Sequence, residues 1–199
     1  MKFRVSVILA CALLCLAPTA SWADLATYSQ DFEELDQADP AALANDGWLV
    51  FGNVFGPDWG YWYPYGPFPA PNGGPGFCGI DLDQGGPAQG AQQLVVYNDY
   101  NNSNHGDGAH IEANVFQERT IGAADVGGTW LYEFDAKRGN IDGATTALAF
   151  IKTLDPGAGW ALTNFITIDM TDVPTTWGSY RIPIFIDPSL DGARCLSIS

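Results

Sequence analysis

Residues 51–76 constrain the fold of this chain more than any other part, because prolines and aromatic residues are interleaved there. The prolines exclude a helix and a central strand, since each lacks a backbone N–H and has a fixed φ. We therefore predict a long, stiff surface loop, here called the aromatic segment. It holds six aromatic residues over a short stretch: Trp59, Tyr61, Trp62, Tyr63, Tyr65 and Phe68.

A surface loop with six rings has two explanations. Either it folds back and seals one end of the core, or it presents flat rings to a ligand such as a sugar, whose C–H faces stack on Trp and Tyr. We expect some rings to do each, since alternate side chains of an extended segment face opposite ways. The predicted ligand-binding residues are Trp59, Tyr61, Trp62, Tyr63 and Tyr65, with Asp58 and Asn72 orienting sugar hydroxyls.

The first 23 residues have the pattern of a signal peptide. Lys2 and Arg4 precede an apolar run at residues 5–16 that is too short to span a membrane comfortably, and small residues follow at the cleavage position. We predict cleavage after Ala23 and a secreted or periplasmic mature protein. A lipoprotein signal is the alternative, because Cys11 and Cys15 lie in this region, but Cys15 follows a leucine rather than a small residue.

The predicted mature chain, residues 24–199, is strongly acidic. It retains all 23 acidic residues and only six basic ones, which gives a formal charge of −17. Such a charge repels nucleic acid and anionic membranes, and no later apolar run is long enough to insert. We expect a monomeric single domain with neither partner. The two cysteines left, Cys78 and Cys195, are able to form a disulfide in an exported protein, but the sequence does not show that they meet.

The chain is rich in short alternating segments separated by Gly, Asn, Asp and Pro turns, with almost no helical pattern. Only residues 41–45, after Asp39 and Pro40, favour a helical turn. This organisation predicts an all-β fold, an antiparallel β-sandwich of the jelly-roll kind. The predicted strands are residues 26–32, 48–55, 77–82, 92–99, 110–120, 129–137, 147–154, 163–170 and 177–186.

Three places resemble a known family. An opening strand ends in Phe32-Glu33, Gly47-Trp48 follows a short insert, and residues 130–137 read WLYEFDAK. In these places the chain resembles secreted bacterial carbohydrate-binding modules of the galactose-binding-like jelly-roll type. The resemblance implies a glycan partner, and a structural calcium ion shared by the opening glutamate, here Glu33, and an acid of the final strand.

The C-terminus departs from that family. After a turn at residues 187–192 the chain ends in ARCLSIS, which lacks the family's final strand. We therefore expect a domain truncated at its C-terminus, with its first strand an unpaired edge. This departure weakens the predicted calcium site at Glu33 and the pairing of Cys195.

A second candidate calcium site lies in the polar loop at residues 99–107. Its oxygen-bearing residues Asp99, Asn101 and Asp107 alternate as in calcium loops, although the sequence does not match an EF-hand. The alternative is that these side chains only bond their own backbone. Structural calcium is the one cofactor that we predict.

The leading functional prediction is a non-catalytic protein that binds a polysaccharide or surface glycan. The first alternative is a small glycan-cleaving enzyme that uses strand carboxylates about 5 Å apart. The second is a structural extracellular protein with no small ligand. The carboxylates considered are Glu112 with Glu118, and Glu133 with Asp135, each pair on one face of its strand.

Overall fold

The computed structural model describes residues 28–73, 77–98, 108–139 and 146–197. The predicted signal peptide therefore lies outside the described residues. The elements are one short helix, α1 (Ala42–Asn45), and the strands β1 (Trp48–Phe55), β2 (Tyr61–Pro69), β3 (Cys78–Leu82), β4 (Gln92–Val96), β5 (His110–Thr120), β6 (Thr129–Ala136), β7 (Leu148–Asp155), β8 (Ala161–Asp169), β9 (Gly178–Phe185) and β10 (Arg194–Ser197).

All strand pairs are antiparallel. One sheet has six strands in the order β2-β1-β5-β10-β7-β8, and two small sheets pair β3 with β4 and β6 with β9. The predicted all-β, antiparallel sandwich with little helix is thus confirmed. The only α-helix of the described residues has four residues, and none of their helices is long and apolar enough to cross a bilayer.

The small sheets cover one face of the six-stranded sheet, which we call its inner face. On β1, Trp48 and Val50 alternate with less buried residues and pack against Cys78 and Ile80 of β3. The period-2 pattern of β1 therefore places its apolar set in the core, as expected for a strand with one buried face. Helix α1 closes this half of the core with Leu43.

The second half of the core lies between β7-β8 and β6-β9. Ala149 and Ile151 of β7 pack against Ile182 and Ile184 of β9. On the outer face of the large sheet, Phe116 and Phe150 form a separate buried cluster. Both faces of this sheet therefore carry apolar and aromatic residues.

The predicted first strand, residues 26–32, is wrong where it is described. Residues 28–32 are not in a sheet, and Phe32 has a φ of 67°. Polar side chains satisfy the backbone locally instead: Gln30 accepts the N–H of Phe32, and Asp31 accepts the N–H of Glu33. Such local bonds compete with a strand ladder.

The aromatic segment is also not wholly a loop, because its residues Tyr61–Pro69 form β2. This strand lies at the edge of the large sheet and pairs only with β1. An edge strand tolerates proline, since the side without a neighbour needs no N–H donors. Proline therefore excludes a central strand here, as predicted, but not an edge strand. The Gly66-Pro67 peptide bond is cis.

A C-terminal strand that the sequence did not predict lies inside the large sheet. The backbone of β10 pairs with β5 on one side and β7 on the other, so that Cys195 lies opposite Arg119 and Thr153. The expectation that residues after the turn at 187–192 form no strand is therefore wrong.

Cys78 is a buried free thiol that contacts the carbonyl oxygen of Pro71 at 3.2 Å, and burial raises its pKa to about 12.

Candidate functional site

A tight turn between β1 and β2 projects Trp59 into solvent. The N–H of Trp59 donates to the carbonyl of Gly56 at 2.9 Å, and Gly56 in turn donates to Gly60 at 2.8 Å. Trp59 has a φ of 65°, in the left-handed region that glycine or asparagine normally occupies in such turns. Its side chain is nevertheless 67% exposed. A non-glycine residue in this region carries backbone strain, which makes Trp59 a candidate functional position.

Trp59 belongs to a group of four aromatic side chains on the outer face, which we call the ring platform: Phe55, Trp59, Tyr61 and His110. The Trp59 indole stacks face to face on His110, with centroids 3.8 Å apart and an interplanar angle of 5°. Phe55 lies 6.1 Å from Trp59 and 5.9 Å from Tyr61. The histidine supports one face of the indole and the phenylalanine fixes its edge, so the platform is preorganised.

A β-bulge at Trp62 divides the aromatic residues of β2. Tyr61 lies opposite Phe55, but Tyr63 lies opposite Val54, so one residue is inserted between the two pairs. Residues directly opposite one another point to the same face, which places Tyr61 outside and Tyr63 on the inner side. Simple alternation would have placed both on one side. The Trp62 indole lies over Gly56, where an added Cβ would be 2.7 Å from its Nε1.

Tyr65 packs against the core rather than joining the ring platform. Its ring is stacked on Phe77 at 5.4 Å and meets Phe68 edge-on at 5.0 Å. Tyr65 belongs to the inner cluster around Trp48. The structure therefore favours Tyr65 as a core residue over its predicted role in ligand binding.

The two predicted polar ligand residues have structural roles. Asp58 accepts the N–H of Gly60 at 3.0 Å and so closes the turn below Trp59. The amide of Asn72 donates to the carbonyls of Gln37 and Asp39, and its oxygen accepts the N–H of Ile80. Both N–H bonds of Asn72 are used, so this arrangement does not support sugar binding by Asn72.

Polar groups that the sequence analysis did not assign to binding lie beside the ring platform. Glu112 of β5 is exposed, and its two carboxylate oxygens accept hydrogen bonds from Asn53 at 2.8 Å and from Asn114 at 2.9 Å. The Asn114 amide also donates to the carbonyl of Phe51 at 3.1 Å. We call Asn53, Glu112 and Asn114 the Glu112 cluster. The two amides hold the carboxylate in one orientation and leave each oxygen further acceptor capacity.

The register of β1 and β5 sets the distance between the platform and the cluster. Phe55 lies opposite His110, and Asn53 lies opposite Glu112. The two rows are two residues apart on the same face, which is about 6.6 Å along the strands. A flat ligand stacked on the platform is therefore within reach of the Glu112 carboxylate.

Neither predicted catalytic pair has the arrangement of a glycosidase, the first because of its distance and the second because both carboxylates are held by neighbouring side chains. Glu112 and Glu118 share the outer face, but six strand residues separate them by about 20 Å, far beyond the roughly 5–10 Å that such mechanisms need. In the other pair, Glu133 forms an exposed ion pair with Arg181 at 3.5 Å. Asp135 accepts hydrogen bonds from Ser179 and Gln89, which lower its pKa. A lowered pKa suits a structural acceptor and not a general acid.

Of the predicted calcium ligands, only Glu33 lies in the described part of the chain; Asp99, Asn101 and Asp107 lie outside it. One oxygen of Glu33 accepts the N–H groups of Ala91 and Gln92, each at 2.7 Å. The Gln92 side chain reciprocates with the carbonyls of Phe32, Glu33 and Leu35. Within the described ranges no three His, Cys, Asp or Glu side chains are grouped as a metal site would require. Calcium stays a prediction.

Replacing Glu33 with alanine is expected to lower the free energy of unfolding by about 1.5 kcal/mol, because two N–H groups lose a charged acceptor. Urea denaturation followed by circular dichroism measures the change, with Glu34→Ala as the control for a neighbouring exposed carboxylate. The loss should be the same in calcium and in EDTA, since the bonds to Ala91 and Gln92 need no metal. A loss seen only with calcium would instead identify Glu33 as a metal ligand.

The sequence analysis therefore singled out Trp59 and Tyr61 of the ring platform but not the residues that surround them. Phe55 and His110 were read as strand residues, and Asn53 and Asn114 were not singled out. The alternation of side chains along β5 could have indicated that His110, Glu112 and Asn114 lie together, because it places them on one face of the strand. Comparison of the chain with protein-family models, curated proteins and solved structures gives no match, so the case for a function rests on the geometry of the site.

Proposed function

We propose that this protein is an exported, non-catalytic binder of a polysaccharide or surface glycan, and that the ring platform is its ligand surface. The observation that carries the proposal is Trp59: an indole held in a strained turn, two-thirds exposed, and backed face to face by His110. An exposed, immobilised aromatic face suits the C–H face of a sugar ring. Each such stack contributes on the order of 1 kcal/mol.

Four further features support a glycan over other ligands. The platform is open to solvent rather than an enclosed pocket, as a polymer requires. Trp62, which is 43% exposed, adds a further aromatic side chain at the turn, where it lies over Gly56. The charge of the predicted mature chain disfavours nucleic acid and anionic lipid surfaces. Export, which the N-terminal pattern predicts, would bring the protein into contact with extracellular or cell-surface polysaccharide.

The proposal is non-catalytic because neither carboxylate pair combines a suitable distance with free groups: Glu133 and Asp135 are about 7 Å apart along their strand but are held by other side chains. Glu112 is held by two amides and is about 20 Å from Glu118 along the strand. A binder needs a fixed acceptor of this kind, and a retaining or inverting enzyme needs a second carboxyl group facing it.

The test is a titration of the purified mature protein with a panel of soluble polysaccharides, followed by tryptophan fluorescence. We expect a saturable change of emission with at least one polysaccharide, because a sugar on Trp59 or Trp62 changes the polarity around the indole. A parallel series in EDTA shows whether calcium contributes.

A folded protein whose emission no polysaccharide changes, and which no polysaccharide retards on affinity gels, would contradict the proposal. That result would favour a structural protein in which the aromatic segment only covers the core. Release of reducing sugar from any polysaccharide would also contradict it, because a binder without catalysis forms no product.

A further inference from the structure

From the surroundings of the ring platform we infer that Glu112 determines specificity: it accepts hydroxyl hydrogen bonds from a neutral polysaccharide, and the site excludes glycans that carry carboxylate or sulfate groups. This inference rests on the proposed function. It adds the class of ligand and the residue that selects it.

The first argument is the position of the carboxylate. Glu112 lies one row from His110 on the same face of β5, about 6.6 Å along the strand. A sugar ring stacked on the free face of Trp59 would therefore bring its hydroxyl-bearing edge near Glu112. Hydroxyl groups are the donors on that edge, and an ionised carboxylate accepts but does not donate.

The second argument is the fixed orientation of the acceptor. Asn53 and Asn114 each donate one N–H to a different oxygen of Glu112, at 2.8 and 2.9 Å. Asn114 is itself buried and tied to the backbone of Phe51. A carboxylate that is already immobilised loses little side-chain entropy when a ligand binds, which favours affinity and selectivity.

The third argument is charge. No lysine or arginine in the described part of the chain belongs to the ring platform or to the Glu112 cluster; several have partners elsewhere. Lys152 lies over the ring of Phe150, Lys137 donates to the carbonyl of Gln84, and Arg181 pairs with Glu133. A uronate or sulfate at the platform would meet a carboxylate without a compensating lysine or arginine, in the field of a strongly acidic protein.

The matching experiment compares wild type, Glu112→Gln and Glu118→Gln by titration with two sets of polymers. Galactomannan, arabinoxylan and mixed-linkage β-glucan are neutral, and polygalacturonate and alginate are anionic. We expect wild type to bind a neutral polymer and neither anionic one, at both low and physiological salt. Glu112→Gln should weaken neutral binding about tenfold or more, since bonds to a charged acceptor are the strong ones. Glu118→Gln, on the same face but about 20 Å away, should bind as wild type does.

Two outcomes would overturn the inference: equal binding of the neutral polymer by Glu112→Gln and wild type, or binding of an anionic polymer by wild type. Circular dichroism and the urea midpoint check the fold of each variant. If Glu112→Gln is destabilised, Glu112→Asp, which keeps the charge but withdraws it by one methylene, should show the same loss. Failure of the proposed function looks different, because then no polymer binds wild type and Trp59→Ala changes nothing.

Discussion

Replacing Trp48 with alanine is expected to lower the free energy of unfolding by about 4 kcal/mol, a large part of the stability of a domain this size. Trp48 is 2% exposed and lies in the inner cluster with Val50, Cys78 and Ile80. Alanine would remove the largest fully buried side chain of the described residues. The cavity would lie where α1, β1 and β3 meet.

The indole also organises the N-terminal segment that precedes β1. Its Nε1 donates to Asp46 at 3.0 Å, and the same oxygen accepts hydrogen bonds from Tyr28 at 2.6 Å and Gln30 at 2.9 Å. The ring lies 5.8 Å from that of Phe32. Burial and the Asp46 carboxylate together raise the pKa of Tyr28, so its hydroxyl stays a donor over the physiological range. Loss of Trp48 thus removes the surface on which this segment rests.

Urea denaturation measures this effect. With a slope of about 2 kcal/mol per molar, the midpoint of Trp48→Ala should fall by about 2 M. Trp48→Phe keeps most of the buried area and loses only the N–H, so it should cost about half as much or less, because Asp46 retains two other donors. The exposed Trp160 provides the control, and Trp160→Ala should stay within about 0.5 kcal/mol of wild type. An unchanged midpoint for Trp48→Ala would mean that the inner cluster is not packed as described.

The strands that the sequence predicted best are those whose burial follows a period of two. On β1 every second residue is buried, and this strand has the predicted limits. The short strand β10 was missed for a different reason. Its four residues carry no long alternating pattern, and it is held by ladders to β5, whose paired residues are 74 to 80 positions away, and to β7, at 40 to 46 positions. Pairing over such distances leaves little trace in the strand's own sequence.

The site was harder to predict than the fold because it combines two strands and a turn. The aromatic residues of one segment identified Trp59 and Tyr61, but the register that brings His110 beneath Trp59 joins residues far apart in sequence. The bulge at Trp62 reversed the expected direction of Tyr63. Asn72 was predicted to bind a ligand because an amide side chain can hydrogen-bond sugar hydroxyls. The structure shows that its amide N–H groups and oxygen bond to backbone groups of the fold instead.

The left-handed backbone conformation of Trp59 is unfavourable for stability. Substitutions at this position can therefore separate its contribution to binding from its contribution to the fold. A residue with a Cβ pays about 1–2 kcal/mol to adopt the left-handed conformation, and glycine does not. The turn would therefore be at least as stable with glycine at position 59, even though the contacts of the indole with His110 and Phe55 would be lost. Under the proposed function, the indole at position 59 contributes to ligand binding rather than to the stability of the turn.

Trp59→Ala and Trp59→Gly are both expected to reduce polysaccharide affinity about 30-fold or more, as the loss of a central tryptophan of a binding surface usually does. Their stabilities should differ, with Trp59→Gly about 1 kcal/mol more stable than Trp59→Ala, because only alanine keeps the strain. Trp160 offers a matched control. It is also an exposed tryptophan in a turn, with 53% of its side chain exposed and a φ of 66°. It lies next to β8, however, at the opposite edge of the large sheet. Trp160→Ala should bind as wild type does. Isothermal titration of wild type and the three variants with one polysaccharide measures the affinity, and their urea midpoints measure the stability. Equal losses of affinity in Trp59→Ala and Trp160→Ala would show that exposed tryptophan in general, and not the ring platform, is responsible for binding.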